Sequence, residues 1–427
     1  MNKIIKVKKN QRNLKYKKYR NSFEHQKSNY YIRIGFIILL LYFVFFIYKN
    51  SMKQNWNALK VVSFNELGNG LKVVSFYELF NKIEPINKRV LIFEPNNYHY
   101  ECTPGFTKYF VDLGYNVDII MQPSGIDSFI YFKKLEKICL FIYDNLNEIN
   151  KNIYQLSLII RKYDFVLVQT TDPTRKKLYT NLGFFNINNS IFVHHDLQYM
   201  GNEYISYINQ NRIWALGDFK KVLFINPHYF GDIKLFDKNK ITRFFLTASV
   251  GRNYKYLLES SEHLKRDNFV FEIIVTGRVN NLNVRKIPNC LKDNFIFLHN
   301  CNYTQFYNAI LSSDYIILPL DPNQKFDREY NRYRSSGSIQ LMLGFLKPAL
   351  INEEFKEVYH LNNENSLLYN NTNFYDVMKK AILLSNKKYK IIQRNLIVTA
   401  KNIYNISINN VKKTIKSINK LRYMYHR

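Results

Sequence analysis

Three small residues, Ser336, Gly337 and Ser338, stand directly before a run of apolar residues at helical spacing. Residues of these types are preferred at helix N-termini, so the pattern predicts a helix that begins here. The first turn of a helix carries unpaired N–H groups and partial positive charge, and small side chains let an anion approach them closely. The stretch is therefore a candidate diphosphate-binding site. An ordinary capped helix in an α/β domain is the structural alternative.

Basic residues and glycines follow two further runs of strand-forming residues. Arg252 and Lys255 come just after Gly251, and Arg278 follows Gly277. Positioned cations and helix N–H groups neutralise the charge that develops on a leaving diphosphate without a metal ion. The spacing favours phosphate binding by Arg252 and Lys255, while a solvated surface charge is the alternative for Arg252.

Polar side chains end or follow three apolar runs in the first half of the chain, at residues 89–94, 164–169 and 191–195. Ligands of open α/β sheets bind outside the carboxyl ends of the strands, so these side chains are expected at one crevice. They are His99, Glu101, Thr170, Asp172, His194, His195 and Asp196. His99 and Glu101 have the chemistry to hold or deprotonate a hydroxyl group. For each residue, a loop position with a satisfied hydrogen bond is the alternative.

Strand and helix patterns alternate through most of the chain. A strand over 89–94, a helix over 106–113 and a strand over 116–121 form a predicted βαβ unit. In the second half, strands are predicted at residues 244–247, 269–275, 295–298, 314–320 and 349–351. This order predicts two doubly wound α/β domains, over 89–236 and 237–400, with a helical tail over 401–427.

The composition is typical of folded domains and gives no sign of a metal site. The 427 residues exceed one usual core, and 46% of them are hydrophobic. The four cysteines lack CxxC spacing and a flanking histidine pattern, while a Cys290–Cys301 disulfide stays an open alternative. The net charge of +29 raises nucleic acid as a partner, but no nucleic-acid-binding motif accompanies it. We attribute the charge to compositional drift and to attraction toward an anionic membrane surface or an anionic ligand.

The N-terminus has the pattern of a membrane anchor. Residues 1–33 hold eleven Lys or Arg residues against one acid, and residues 34–48 carry no charge. Such a segment gives about 22 Å of helix, and snorkelling of Arg33 with residues 30–32 extends it toward the roughly 30 Å hydrocarbon core. No small-residue cleavage site follows, so we expect an uncleaved signal anchor rather than a cleavable signal peptide. The positive-inside rule then places residues 1–33 in the cytoplasm and everything after Lys49 on the far side.

Residues 49–88 are predicted to form a stem. Within it LKVVSFNELGNG, residues 59–70, is followed at once by LKVVSFYELFNK, residues 71–82, a tandem duplication of period 12. Two copies are too few for a solenoid. We therefore expect a duplication tolerated in a spacer, with each copy able to form a strand or a short amphipathic turn.

The second half resembles the donor-binding domain of GT-B glycosyltransferases, in particular the glycogen-synthase-like and capsular-polysaccharide (family 4-like) group. The matching stretches are SVGRNYKYLLES at 249–260, IIVTGR at 273–278, and SSDYIILPL at 312–320, which leads to the Ser/Gly-capped helix and its G-x-x-KP ending. Residues 98–120 resemble the acceptor-side βα unit, and the similarity spans about 89–400. The family's pair of glutamates spaced E-x7-E is absent, because Gln340 or Leu341 stands where the second would be.

This resemblance implies a GT-B fold, in which two Rossmann-like domains face each other across a cleft, preceded here by one N-terminal transmembrane helix. It implies that His99 and Glu101 are catalytic and that His194, His195 and Asp196 line the acceptor side. The implied donor-binding residues are Gly251, Arg252, Lys255, Gly277, Arg278, Ser336, Gly337, Ser338 and Gln340. No metal ion or other cofactor is expected besides the nucleotide sugar.

The expected function is transfer of a hexose from a nucleotide-diphosphate sugar to a glycan, protein or lipid acceptor, at a membrane and without nucleic acid. The predicted anchor implies a type II protein whose catalytic part lies in a Golgi- or ER-like lumen if the cell is eukaryotic. A catalytically inactive sugar- or nucleotide-binding GT-B protein is one alternative, which the missing E-x7-E pair favours. A nucleotide-sugar epimerase has the same two domains and is the other. A membrane-tethered nucleic-acid-binding protein explains the charge but not the domain order.

Overall fold

The computed structural model describes residues 71–81, 88–133, 135–249, 252–277 and 287–425. The strands in these ranges are β1 Lys72–Ser75, β2 Arg89–Phe93, β3 Asn116–Met121, β4 Ile138–Ile142, β5 Phe165–Val168, β6 Ser190–His194, β7 Ile213–Ala215, β8 Leu223–Phe224, β9 Thr242–Ala248, β10 Phe271–Gly277, β11 Phe295–Phe297, β12 Tyr315–Leu318, β13 Ala349–Asn352 and β14 Leu367–Tyr369. The helices are α1 Thr103–Asp112, α2 Leu146–Lys151, α3 Ile153–Ile160, α4 Lys176–Asn181, α5 Ile205–Asn209, α6 Lys255–Arg266, α7 Tyr303–Ser312, α8 Lys325–Arg328, α9 Gly337–Phe345, α10 Phe374–Leu383 and α11 Asn386–Tyr425.

The strands form two parallel sheets. The first has the order β1-β4-β3-β2-β5-β6-β7-β8 and the second the order β11-β10-β9-β12-β13-β14. Counted from β2 and from β9, both contain the 3-2-1-4-5-6 order of a doubly wound nucleotide-binding sheet. The two Rossmann-like α/β domains that the sequence predicts are therefore present, and the predicted strands agree with the observed ones to within a few residues.

Local sequence explains why these strands lie inside. The segments VLIF of β2 and FVLV of β5 are fully apolar and buried, as expected for parallel strands covered by helices on both faces. The neighbouring strands β2 and β5 are paired in parallel, with Val90 opposite Phe165 at one end and Phe93 opposite Val168 at the other. The order of connection reverses between these two strands, and the corresponding reversal in the second sheet lies between β9 and β12. These are the places where doubly wound sheets open a ligand crevice.

The second copy of the tandem repeat is not a spacer. Residues 72–75 add β1 to the edge of the first sheet by pairing in parallel with β4. The following turn buries Phe76 and Leu79 completely. This copy forms a strand followed by a short helical turn, as expected for each copy, but it packs on the first domain instead of serving as a spacer, because Phe76 and Leu79 are buried against the sheet and α3. Residues 49–70, including the first copy, lie outside the described residues.

The long helix α11 joins the two domains. It begins at Asn386, within the predicted second domain, and runs to Tyr425 without a break. Gln393 donates to the carbonyl of Leu346 in the second domain, and Thr414 accepts a hydrogen bond from the Trp214 indole in the first. Residues 401–425, which the sequence assigns to a helical tail, thus belong to a helix that is packed on the first domain.

No described helix is both long enough and apolar enough to cross a membrane. The predicted span over 34–48 and the basic tail over 1–33 lie outside the described residues. All four cysteines are free, so the open Cys290–Cys301 alternative is excluded.

Candidate functional site

The carboxyl edges of the two sheets meet through their loops. In the first domain the contacting residues follow β2 and β6, and in the second they precede α9. The backbone carbonyl of His195 accepts a hydrogen bond from the N–H of Ser335 at 3.2 Å, and the carbonyl of Tyr333 accepts one from the N–H of Leu197 at 2.8 Å. The site predicted from strand ends therefore lies between the domains.

His99 and His195 form the centre of the first-domain side. Their rings stack with centroids 4.2 Å apart and an interplanar angle of 26°. His99 has a left-handed backbone (φ 66°), which is costly for a residue with a side chain and is concentrated at functional sites. Its carbonyl accepts a hydrogen bond from Gln169 at 3.0 Å, which fixes the loop on the strand end of β5.

The ring of His99 is paired with Glu101. Nδ1 of His99 lies 3.3 Å from Oε1 of Glu101, and the two side chains are 35% and 15% exposed. Burial lowers the pKa of His99, but the hydrogen bond and charge of Glu101 outweigh it, so that the pKa is raised. Burial raises the pKa of Glu101, but the hydrogen bonds and charge of His99 and the Tyr303 hydroxyl lower it by more, so that the pKa is lowered overall. The hydrogen bond and the charge of Glu101 thus increase the affinity of the His99 ring for a proton.

Glu101 also reaches the second domain. Its Oε2 accepts a hydrogen bond from the Tyr303 hydroxyl at 2.9 Å. A Cβ placed on Gly337 would lie 3.6 Å from Oε1 of Glu101. The carboxylate thus rests over the first residue of α9, at the helix end that attracts anions. The structure brings the two predicted catalytic residues against the predicted phosphate-binding turn.

The other residues of that turn are partly engaged by the protein. Ser336 is the N-cap of α9 and is buried, and its N–H points to the Tyr359 hydroxyl at 3.4 Å. Gln340 is buried and donates from Nε2 to the Cys102 thiol across the domain boundary at 3.3 Å. Its Oε1 has no hydrogen-bond partner within the described chain. Ser338 is the second residue of α9.

A buried carboxyl group that the sequence analysis missed forms the floor of the crevice. Glu94 follows β2 directly and is completely buried. Its Oε1 accepts hydrogen bonds from the backbone and side-chain nitrogens of Asn96 at 2.9 and 3.0 Å, and its Oε2 lies 2.5 Å from Oγ1 of Thr170. Burial raises the pKa of Glu94 to about 8, so the group is mostly neutral at pH 7. A carboxylate at the end of the first strand, beside the point where strand order reverses, is the signal that could have found it.

Thr170 links Glu94 to His195. Its Oγ1 lies 3.4 Å from Nε2 of His195, which also approaches the carbonyl of Gln169 at 3.3 Å. Burial lowers the pKa of His195 well below its usual value, with a further decrease from the charge of His99. The crevice floor is thus a neutral carboxyl, a hydroxyl and a neutral imidazole beneath the pair of His99 and Glu101.

His194 does not join this group. Its ring meets Tyr204 edge-on at 4.5 Å, and burial lowers its pKa to about 3. Consecutive strand side chains point to opposite faces, which explains why His194 and His195 have separate surroundings. Asp172, also expected at the crevice, accepts hydrogen bonds from Tyr98 at 2.5 Å and from the N–H of Thr174.

Asp196 pairs with an arginine that the sequence analysis overlooked. Its Oδ2 accepts from Nε and Nη2 of Arg334 at 2.8 and 2.5 Å, across the domain boundary. Nη1 of Arg334 lies 2.9 Å from Oε2 of Glu329. Only 15% of each of these three side chains is exposed. Arg334 lies two residues before Ser336, so an expectation of cations beside the Ser/Gly turn could have included it.

Arg252 lies in the same region of the second domain. Its Nε donates to Oγ of Ser249 at 2.6 Å, and its guanidinium stands 5.1 Å from the ring centre of Tyr330. The guanidinium of Arg334 lies 5.7 Å from the same ring. Two cations thus share one aromatic side chain close to the start of α9.

Of the remaining predicted donor residues, some lie away from the start of α9 and others lie outside the described residues. The Lys255 side chain is 70% exposed and its amino group lies 3.7 Å from Glu259 on the outer surface of α6. Gly277 ends β10 with φ 101°, and an added Cβ would meet the carbonyl oxygen of Ala248 at 2.6 Å, which explains the glycine structurally. Gly251 and Arg278 are not among the described residues. Within the described ranges, no group of three His, Cys, Asp or Glu residues is arranged to hold a metal ion.

Comparison with known proteins supports the fold. No family model and no curated protein sequence matches the chain. A solved glycosyltransferase from Rickettsia africae aligns with a TM-score of 0.51 at 16% identity, over 78% of this chain and all of that one. The Anabaena protein HepE in complex with UDP-glucose aligns with a TM-score of 0.46 at 11% identity, over 78% of this chain and 99% of that one. Together with the two sheet orders, the first of these likenesses shows that the chain has the GT-B fold.

Proposed function

We propose that this GT-B chain is a glycosyltransferase that moves a sugar from a nucleotide-diphosphate donor to a hydroxyl group of an acceptor. The observation that carries the proposal is the contact of Glu101 with the first turn of α9. It places the His99 and Glu101 pair of one domain beside the anion-attracting helix end of the other. Sugar transfer requires this proximity, because the attacked carbon is bonded to the diphosphate.

The donor side supplies positive charge for the leaving group. Arg252 lies near the start of α9 beside Arg334, whose guanidinium is already paired with Asp196 and Glu329. The N–H groups in the first turn of a helix carry partial positive charge. When the bond between the sugar C1 and the diphosphate oxygen breaks, negative charge builds on that oxygen. Fixed cations and N–H dipoles stabilise such charge, and we propose that they do so here without a metal ion.

The acceptor side supplies a base. The His99 ring uses Nδ1 for Glu101, which leaves Nε2 to receive the proton of the acceptor hydroxyl as its oxygen bonds to C1. Glu101 then stabilises the imidazolium, and its charge already raises the pKa of His99. His195 stacks on His99 and holds the ring in place.

Membrane anchoring and compartment belong to the proposal as well. The uncharged segment 34–48 would hold the enzyme as a single-pass type II protein, with a glycan, protein or lipid acceptor on the far side. Protease added to sealed vesicles from the cytoplasmic face should leave residues 89–427 intact. Digestion of this part would refute the orientation.

The test of function is donor consumption by the purified full chain, with panels of UDP-, GDP- and dTDP-sugars and with and without acceptors. We expect nucleoside diphosphate and a glycosylated acceptor as products. His99→Ala should lower turnover by about 10²- to 10⁴-fold with little change in donor affinity, because general-base catalysis is lost while the donor side stays intact. His263→Ala, on the exposed surface of α6, is the matched control.

Three outcomes would contradict the proposal. Binding of nucleotide without turnover would indicate an inactive descendant of such enzymes. Release of an epimerised nucleotide sugar would indicate an epimerase. Full turnover in His99→Ala would remove the proposed base.

A further inference from the structure

Helix α11 carries an unbalanced charge. It contains ten Lys or Arg residues and no Asp or Glu. Its described ion pairs are those of Lys390 with Asp237 and of Arg422 with Asp164. The exposed lysines 412, 416 and 420 repeat every four residues along one face, where like charges repel one another. A polyanionic partner would relieve this repulsion.

An apolar groove runs beside this row of lysines. It has a volume of about 740 Å³ and lies between the C-terminal half of α11 and the end of α1. Apart from the three lysines and Asn419, its lining is apolar or aromatic: Leu113, Tyr115, Ile415, Tyr423 and Met424. Tyr423 is 76% exposed and Met424 is 56% exposed. Basic residues flanking exposed aromatic and aliphatic side chains are typical of helices that bind at a lipid headgroup boundary.

The groove lies at the amino edge of the first sheet. Tyr115 directly precedes β3, and Arg422 donates to the carbonyls of Tyr163 and Asp164 just before β5. Because all strands of the sheet are parallel, Lys72 at the start of β1 lies at the same edge. The first described strand of the chain therefore begins at the edge that carries the groove. The candidate functional site is at the opposite, carboxyl edge.

We propose that the groove and the lysine row, residues 412–424 of α11 with Leu113 and Tyr115, form a docking surface for an anionic lipid membrane. The lysines contact the headgroups, and Tyr423 and Met424 enter the interface. Docking at this edge turns the carboxyl edge, with the candidate site, away from the bilayer. A nucleic acid would match the charge but would leave the apolar groove without a partner.

The experiment uses the full chain reconstituted in vesicles through its own N-terminal segment. An environment-sensitive fluorophore is attached to Met424→Cys in a Cys290→Ser, Cys301→Ser background, in which the remaining Cys102 and Cys139 are buried. We expect a blue shift, and quenching by bromolipids, in vesicles with 30% phosphatidylserine. Pure phosphatidylcholine vesicles, or about 0.5 M salt, should abolish both. A fluorophore at Tyr154→Cys, which is exposed on α3, should remain in water.

Charge reversal tests the lysine row. A lysine near an anionic surface contributes about fivefold in affinity, so K412E/K416E/K420E should shift the docking equilibrium at least about a hundredfold toward the undocked state. The control K387E/K388E/R394E makes the same charge change on exposed positions of α11, about 40 Å away along the helix, and should stay docked. Sugar transfer to a soluble acceptor, measured without vesicles, should be unchanged in both variants, which separates this inference from the proposed function.

The proposal fails if the Met424→Cys fluorophore stays in water on anionic vesicles, or if the 412/416/420 reversal and its control behave alike. It also fails if a DNA duplex, but not the vesicles, shifts the fluorophore. That last result would assign the surface to nucleic acid.

Discussion

Substituting Glu94 with glutamine should remove the contribution of this group to the pH dependence of stability. The carboxyl is completely buried, and its folded pKa is about 8 against 4.5 for the free group. Between these values the folded state keeps a proton that the unfolded state releases. The stability that protonated Glu94 contributes is therefore present below pH 4.5 and is lost as the pH rises through 8.

The magnitude follows from the difference between the two pKa values. Each pH unit within this range costs about 1.4 kcal/mol, so keeping Glu94 protonated at pH 7 costs about 3 kcal/mol of unfolding free energy. Glutamine has the shape of the neutral acid. Its carbonyl can replace Oε1 as acceptor for both Asn96 nitrogens. Its amide can donate to Oγ1 of Thr170, which reverses the direction of the bond that Thr170 now donates to Oε2 and leaves the Thr170 hydroxyl to face Nε2 of His195. The variant should keep these hydrogen bonds without the proton.

The assay is urea unfolding of the full chain, followed by far-ultraviolet circular dichroism at pH 5, 6, 7 and 8 in one detergent buffer. The free-energy difference between Glu94→Gln and the parent should grow in favour of the variant by about 3 to 4 kcal/mol from pH 5 to pH 8. Glu354→Gln makes the same chemical change at an exposed position and should show no such trend. A flat difference for Glu94→Gln would mean that Glu94 is ionised in the folded protein and that the crevice floor is not dry.

Two further predictions concern the donor side. Arg252→Ala should weaken binding of a nucleoside diphosphate by about ten- to a hundredfold in calorimetry with a nearly unchanged melting curve, because a charge-assisted phosphate contact is lost. Lys255→Ala makes the same measurement for the exposed lysine of the predicted set. Unaltered nucleotide binding in Arg252→Ala would show that the diphosphate does not bind beside Arg252. Gly337→Val should also weaken nucleotide binding, since its methyl groups would project between Glu101 and Gln340, which lie 3.6 and 3.7 Å from a Cβ at this position. Gly337→Ala, whose Cβ would be in ordinary van der Waals contact with both side chains, is the steric control, and parent-like affinity in Gly337→Val would return α9 to a purely structural role.

Much of the fold could be predicted from local sequence. Parallel strands that are buried on both faces are continuous apolar runs, so the segments VLIF and FVLV predicted two buried strands. The residue that follows such a run lies at the carboxyl edge of the sheet, which is why His99, Glu101, His195 and Asp196 could be selected. The Ser/Gly turn indicated the start of α9 because small polar residues favour helix N-termini.

Only the tertiary structure decided which of these residues meet. Glu101 and Tyr303 are 202 positions apart, and Asp196 and Arg334 are 138 apart. No local pattern encodes such pairs, because they depend on how two separately wound sheets pack. Burial is decided in the same way. No local sequence pattern marked Glu94 or the second repeat copy as buried. The Glu94 carboxyl and the Phe76 ring are completely removed from water only in the assembled sheet with its covering helices.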